Sequence, residues 1–165
     1  MIRPCIIVMG VSGCGKSRIG AALAKGLVLR FLDGDSLHPP SNIAKMSRGE
    51  ALNDADRAPW LDAVGAALGT QADVIACSAL KRAYRDRIRA QAPNTVFVHL
   101  AGTRAVLATR VASRPGHFMP PALLDSQLAT LERLQPDEAA IVVDLAQTPA
   151  QIVRQIITTG RFGTA

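Results

Sequence analysis

Residues 5–27 read "CIIVMGVSGCGKSRIGAALAKGL": a short apolar run, a glycine-rich turn closed by Lys16 and Ser17, then a stretch of helical period. Within it Gly10–Ser17 fit the spacing G-x-x-x-x-G-K-[ST], between a strand and a helix, the context that confirms a phosphate loop. The chemistry needs this pattern because glycines let successive backbone N–H groups wrap phosphate oxygens, and the following helix adds its positive end. Gly10, Val11, Ser12, Gly13, Cys14 and Gly15 then form the cradle, Lys16 reaches the β- and γ-phosphates, and the Ser17 hydroxyl faces Mg²⁺. ATP with Mg²⁺ is the expected ligand pair. The guanine-binding pattern N-K-x-D does not occur, which weighs against a GTPase switch.

The alternation begun there continues along the chain. Residues 5–10, 29–34, 73–78, 95–102 and 139–145 are short, rich in Val and Ile, and continuously apolar, as strands buried on both faces of a parallel sheet must be. Helical period marks 16–27, 54–68, 80–91, 103–112, 121–134 and 150–159. The implied class is α/β, a three-layer α/β/α sandwich around a mainly parallel five-stranded sheet. Two connections, 35–53 and 113–121, are longer than a crossover needs, as lids and binding loops often are.

Composition narrows the function classes. A chain of 165 residues with 48% hydrophobic and 19% charged residues suits one globular domain, expected to span 1–165. No apolar run approaches a membrane span, and no cleavage site follows the first apolar stretch, so the expectation is a cytoplasmic protein without a membrane partner. Cys5, Cys14 and Cys77 have neither disulfide-framework nor zinc spacing. A formal charge of +6 invites a nucleic-acid partner, but aromatic residues at 4% leave few rings to stack on bases, so none is expected. Some of that charge, densest in "KRAYRDRIR" at 81–89, is available for a small anionic substrate.

The second informative stretch is "FLDGDSLHPP", residues 31–40. By itself Asp33-Gly34-Asp35 is a turn, because Asp bonds its own backbone and Gly accepts positive φ. Beside a phosphate loop the reading changes. In a parallel sheet the carboxyl ends of neighbouring strands open on one cleft. Alternate residues of an extended chain project to one side, so both carboxylates are expected to face the phosphates. One serves Mg²⁺, the other accepts a proton from an acceptor hydroxyl.

The segments "GVSGCGKS", "FLDGDSLHPPSNIAKMSRGEALNDADRAPWL", "CSALKRAYRDRIR" and "RPGHFMPPALLDSQLATLE" together resemble the gluconokinase family, small shikimate-kinase-like P-loop enzymes, over nearly the whole chain. The resemblance implies a nucleoside-monophosphate-kinase-like fold with a lid at about 110–125 and a substrate-binding insertion at about 36–60. It also implies transfer of the ATP γ-phosphoryl group to the C6 hydroxyl of D-gluconate, and a homodimer. By it Asp35 is the base or orienting carboxylate and Asp33 a Mg²⁺ partner. Arg110 stacks on adenine, Arg114 moves onto the phosphates, and His117 reaches from the lid to the substrate. His38 either bonds a substrate hydroxyl or caps the next helix. Pro149 either forms the other face of the adenine slot or starts the last helix. Lys81 and Arg85 are the candidates for the sugar-acid carboxylate, Arg85 preferred because a guanidinium grips a carboxylate bidentately. Lys45, Arg48 and Arg57 are expected to pair with Asp54 or Asp56, all three being weaker carboxylate candidates, and Trp60 is expected in the core.

Two other readings stand beside this one. A shikimate kinase shares the loop, the acidic pair and an arginine lid, but carries a glycine-rich stretch where this chain has "CSALK". A nucleotide-dependent regulatory or nucleic-acid-binding protein would have no use for Asp35.

Overall fold

A computed structural model of the chain describes residues 3–113, 120–160 and 162. Strand β1 is Cys5–Met9, β2 Phe31–Asp33, β3 Val74–Ala76, β4 Thr95–Ala101 and β5 Ala140–Asp144. Helix α1 is Lys16–Leu27, α2 Pro40–Ser47, α3 Asp54–Ala67, α4 Arg82–Gln91, α5 Arg104–Ala112, α6 Pro121–Thr130 and α7 Pro149–Gly160. The five strands form one sheet in the order β2-β3-β1-β4-β5, every pairing parallel. The class read from the apolar runs is therefore the one observed.

Continuous apolar strands divide their side chains between two layers. Ile6 and Val8 of β1 join Ile19, Leu23, Ile152 and Ile156 in a core beneath α1 and α7. Ile7 and Met9 point the other way, into a core with Trp60, Leu61, Val64 and Ile88 of α3 and α4. Neither face of β1 meets water, which is why its sequence does not alternate.

Two elements depart from the reading of the sequence. The long connection after β2 contains helix α2, which starts on Pro40 and stops before Gly49 at φ +74°. Proline at a first turn and glycine just past the end are helix punctuation, so the signal was present in "HPPSNIAKMSRG". Helix α6 ends at Thr130 rather than running to Leu134. Beyond it the Glu132 N–H donates to Leu80 O at 2.8 Å and Glu132 Oε2 accepts from the Arg82 N–H at 2.9 Å, so the backbone leaves the helix to bond the loop after β3.

The order places β1 between β3, with β2 outside it, and β4, with β5 outside it. Chain direction across the sheet reverses at β1, and the crevice beyond its carboxyl end is where ligands bind in open parallel sheets. Asp33, Ala76 and Val8 stand in one row of the ladder, so the turns after β2, β3 and β1 open side by side.

Candidate active site

The phosphate loop occupies that crevice. Gly10, Gly13 and Gly15 take φ of +150°, +82° and +97°. Gly10 is also required by space: a Cβ there would stand 2.8 Å from Cys14 Sγ. Helix α1 begins at Lys16 with no side chain capping its N-terminus, so its first N–H groups remain available to an anion. Lys16 folds back, donating from Nζ to Val11 O at 3.0 Å. Cys14 is buried in the apolar core. A cleft of about 220 Å³ is lined by the loop, Asp33, Asp35, Cys77 and Ser78. Burial pushes the Cys77 thiol up to about 12, so it is a neutral wall of the cleft, not a nucleophile.

The acidic pair reaches the cleft by a different backbone from the one expected. Strand β2 ends at Asp33, and Gly34–Leu37 form a 3₁₀ turn, so strand alternation is not what aligns the carboxylates. Asp33 instead caps the turn, its Oδ1 accepting from the Asp35 N–H at 3.0 Å, while its Oδ2 accepts from the Ser17 hydroxyl at 2.6 Å. Asp33 thus fixes Ser17 and displays Asp35 at once. Gly34 is pressed against β3, where a Cβ would stand 2.4 Å from Ala76 O. Its own carbonyl accepts from the Trp60 indole at 2.8 Å. Trp60 is a core residue, as expected, and its polar edge orients the turn.

His38 does not cap α2. Its ring stacks on Trp60 with centroids 4.2 Å apart, and its Nδ1 lies 3.2 Å from the buried amide of Asn42. The Asn42 Nδ2 also donates to Asp56 O at 2.9 Å. Since that nitrogen can only donate, His38 Nδ1 is the acceptor and Nε2 carries the proton. Burial lowers the His38 pKa, Asp35 opposing and Arg57 reinforcing, which keeps the ring neutral near pH 7.

The preference for Arg85 as the carboxylate ligand is corrected. Its side chain is 0% exposed, and all five N–H donors are taken: Nε and Nη2 by Glu138 at 2.8 and 3.1 Å, Nη1 by Ala79 O and Leu80 O at 3.0 and 3.1 Å, Nη2 again by Arg133 O at 3.3 Å. It faces the core side of α4 and braces the loop after β3 from below. In that loop Ala79 adopts φ +47°, a left-handed backbone that costs a non-glycine residue about 1–2 kcal/mol. Arg85 holds the carbonyl of that strained residue.

Of the two preferred cations Lys81 remains accessible, and Arg57 shares its partner. Lys81 Nζ lies 3.4 Å from Asp54 Oδ2, Arg57 Nη1 lies 3.7 Å from Asp54 Oδ1, and the Tyr84 hydroxyl donates to the same carboxylate. Both cations flank the Tyr84 ring at 5.6 Å. Two positive charges share one exposed carboxylate, leaving a net positive patch. Arg57 pairs with Asp54 and Lys45 with Asp56 at 2.6 Å, as expected, whereas Arg48 turns to Glu50.

This geometry can be set beside known proteins. A family model described as Shikimate kinase matches residues 12–160. The gluconokinase of Gluconobacter oxydans is 45% identical over 160 residues, 92% of this chain and 88% of that protein. The thermosensitive gluconokinase of Escherichia coli is 44% identical, covering 94% of this chain and 86% of its own. The crystal structure of a gluconokinase from Sinorhizobium meliloti superposes with a TM-score of 0.87 at 49% identity, covering 95% and 91% of the two chains. The chain belongs to the gluconokinase family. Shikimate kinase from Bacteroides thetaiotaomicron, at 15% identity and a TM-score of 0.68, shares the fold alone.

As a gluconokinase, the chain has further positions to account for. Arg110 donates to Leu145 O and, at 3.0 Å, to Gln147 O, which brings its guanidinium to the segment leading into α7. Pro149 is the first residue of that helix. Arg114 and His117 lie outside the described residues. No group of three or more His, Cys, Asp or Glu positioned to hold a metal exists among the described residues. Among the same residues no helix is long and apolar enough to cross a membrane. The reading of the sequence missed Asn42, Glu138 and Gln127. Asn42 follows His38 by one helical turn, a spacing that could have suggested the bond, whereas nothing near Glu138 or Gln127 in sequence indicates its partner.

Proposed function

We propose that this gluconokinase transfers the γ-phosphoryl group of ATP to the C6 hydroxyl of D-gluconate, giving 6-phospho-D-gluconate and ADP. The observation that carries the reading is the juxtaposition of Asp35 with Lys16 and Ser17 in one cleft; three residues beyond the cleft-lining Ser78, Lys81 shares Asp54 with Arg57 in a net positive patch suited to a sugar acid. Gly10 to Ser17 cradle the triphosphate, and Lys16 exchanges its bond to Val11 O for the β- and γ-oxygens. Asp35 receives the C6 hydroxyl proton as the new O–P bond forms in line with the breaking bond to the β-phosphate oxygen. Bound Mg²⁺ would neutralise charge on the phosphates, and the Ser17 hydroxyl and Asp33 carboxylate, two hard oxygen donors joined at 2.6 Å, suit it.

The acceptor is held by groups from three elements. His38 offers its Nε2 proton to a substrate hydroxyl. Lys81 and Arg57 take the carboxylate, the role that Arg85 cannot fill. Arg110 and Pro149 enclose adenine, while Arg114 and His117 complete the site from the segment expected to close over it. We place the enzyme in the cytoplasm, where ATP and Mg²⁺ are held, and take it to act as a homodimer, as the resemblance implies. The test is ADP release with gluconate, shikimate and RNA offered separately. Turnover with gluconate alone is expected; turnover with shikimate alone, or with no sugar acid, overturns the reading.

A further inference from the structure

The phosphate loop is gripped by a side chain that its motif does not contain. Gln127 of α6 accepts from the Ser12 N–H on Oε1 at 2.6 Å and donates from Nε2 to Ser12 Oγ at 3.0 Å. The amide can be oriented only this way, because a backbone N–H has nothing to accept with. One side chain, 115 residues along the chain, therefore engages both the backbone N–H and the hydroxyl oxygen of Ser12.

The loop needs such a tie. Three glycines at positive φ give it little conformational preference of its own, and glycine loses the most entropy on being ordered. At its far end Ser17 is held by Asp33 at 2.6 Å, but the bonds nearer Ser12 are long or must give way. Cys14 N–H to Val11 O and Gly10 N–H to Ser78 O are both 3.3 Å, near the long limit. The bond from Lys16 to Val11 O must break for Lys16 to reach a phosphate. The bonds from Gln127 use neither Lys16 nor the Val11 carbonyl, so that exchange leaves their partners in place. Their anchor is firm, for α6 buries Leu124 in the core, and just beyond it Glu132 makes its two bonds to the loop after β3.

We propose that Gln127 is a positioning residue for nucleotide: its amide holds the Ser12 peptide so that the loop's remaining N–H groups converge on the triphosphate. The inference rests on nucleotide binding at this loop and not on which acceptor is phosphorylated. Its test is therefore calorimetric titration of the intact protein with a magnesium complex of a non-hydrolysable ATP analogue, without gluconate, alongside melting temperature and the KM for gluconate. Two lost hydrogen bonds predict a nucleotide Kd weakened about tenfold in Gln127→Ala, with the gluconate KM unchanged. Gln127→Asn, too short to reach both groups, should behave like it. Gln127→Glu keeps an acceptor for the Ser12 N–H, and the hydroxyl can turn to donate, so its melting temperature should match the wild type. Its added negative charge beside the triphosphate should nevertheless weaken nucleotide binding. A Kd unchanged in Ala and Glu variants overturns the proposal, whatever their melting temperatures. If Gln127→Ala fails to fold, the Asn and Glu variants decide the matter by the same criterion. Absence of nucleotide binding in the wild type would instead refute the reading of the loop, and absence of turnover with gluconate would touch only the acceptor.

Discussion

The two ends of the cleft are built on different principles. At the proposed phosphate end eight consecutive residues, Gly10–Ser17, are assigned the recognition, mostly through backbone N–H groups whose direction follows from glycine placement. At the proposed acceptor end Asp35, His38, Arg57 and Lys81 come from three segments, and each depends on side chains outside the phosphate loop. Trp60 holds the Asp33–Asp35 turn, Asn42 fixes the His38 tautomer, and Asp54 gathers the two cations. A triphosphate is the same for every kinase of this fold, so a contiguous motif serves. An acceptor differs, and side chains from separate elements can be changed one at a time.

The largest expected effect breaks the acceptor end without touching the phosphate end. Asp35→Asn removes the proton acceptor and should lower kcat by about 10²–10⁴-fold while the nucleotide Kd stays as it was. Retained turnover would remove Asp35 from the chemistry. Next comes Arg85. Arg85→Leu removes the fully buried partner of Glu138, leaving Arg89 as its close cation, and should cost about 3 kcal/mol in urea unfolding. An Arg85 variant that folds normally but has a raised gluconate KM would return this residue to the substrate site. By contrast, Lys81→Ala and Arg57→Ala should raise the gluconate KM by roughly tenfold each, the scale of a hydrogen bond to a charged group, with little change in stability.

The same buried pair makes an acid-stability prediction. Burial alone would raise the Glu138 pKa, but the bonds from Arg85 and the Gln135 N–H and the charges of Arg85 and Arg89 outweigh it, holding the carboxyl at about 2 against an ordinary 4.5. A depressed folded-state value stabilises above pH 4.5 and is lost as pH falls toward about 2. Unfolding followed across that window should show wild-type stability dropping, and Glu138→Gln, already deprived of the charge, should show a flatter slope. A parallel slope in both proteins would mean that other carboxylates dominate acid unfolding. The smallest effect is at Ala79. Ala79→Gly relieves about 1–2 kcal/mol of left-handed strain but loses a buried methyl and adds glycine's entropy, about 0.5–1 kcal/mol. Stability should hardly move, and a loss of several kcal/mol would show that the methyl matters more than the backbone.

Lys81 and Arg85 show how far the sequence could be read. Both follow β3, both are basic, and one helical turn separates them. Charge and spacing favoured the guanidinium, yet burial reversed the order. Arg85 faces the core because Glu138, far along the chain, supplies a countercharge there, while Lys81, at the N-terminal boundary of α4, stays at the surface. Asp33 and Asp35 were found for a partly mistaken reason: the residue types and the position beside the phosphate loop were right, but a 3₁₀ turn, not an extended strand, presents them.

By itself the sequence determined the α/β architecture, the nucleotide loop and the acidic pair, because each is written in neighbouring residues through hydrophobic period, glycine freedom and strand ends. The resemblance carried by its longer motifs pointed to the family that the comparisons then established. Tertiary structure alone decided which arginine is scaffold, which nitrogen of His38 bears the proton, and that Gln127 reaches the phosphate loop. Arg85 and Gln127 depend on partners tens of residues away, and the His38 tautomer on Asn42, close in sequence but held by the Asp56 carbonyl; a side chain's charge state, tautomer and accessibility are properties of what packs against it.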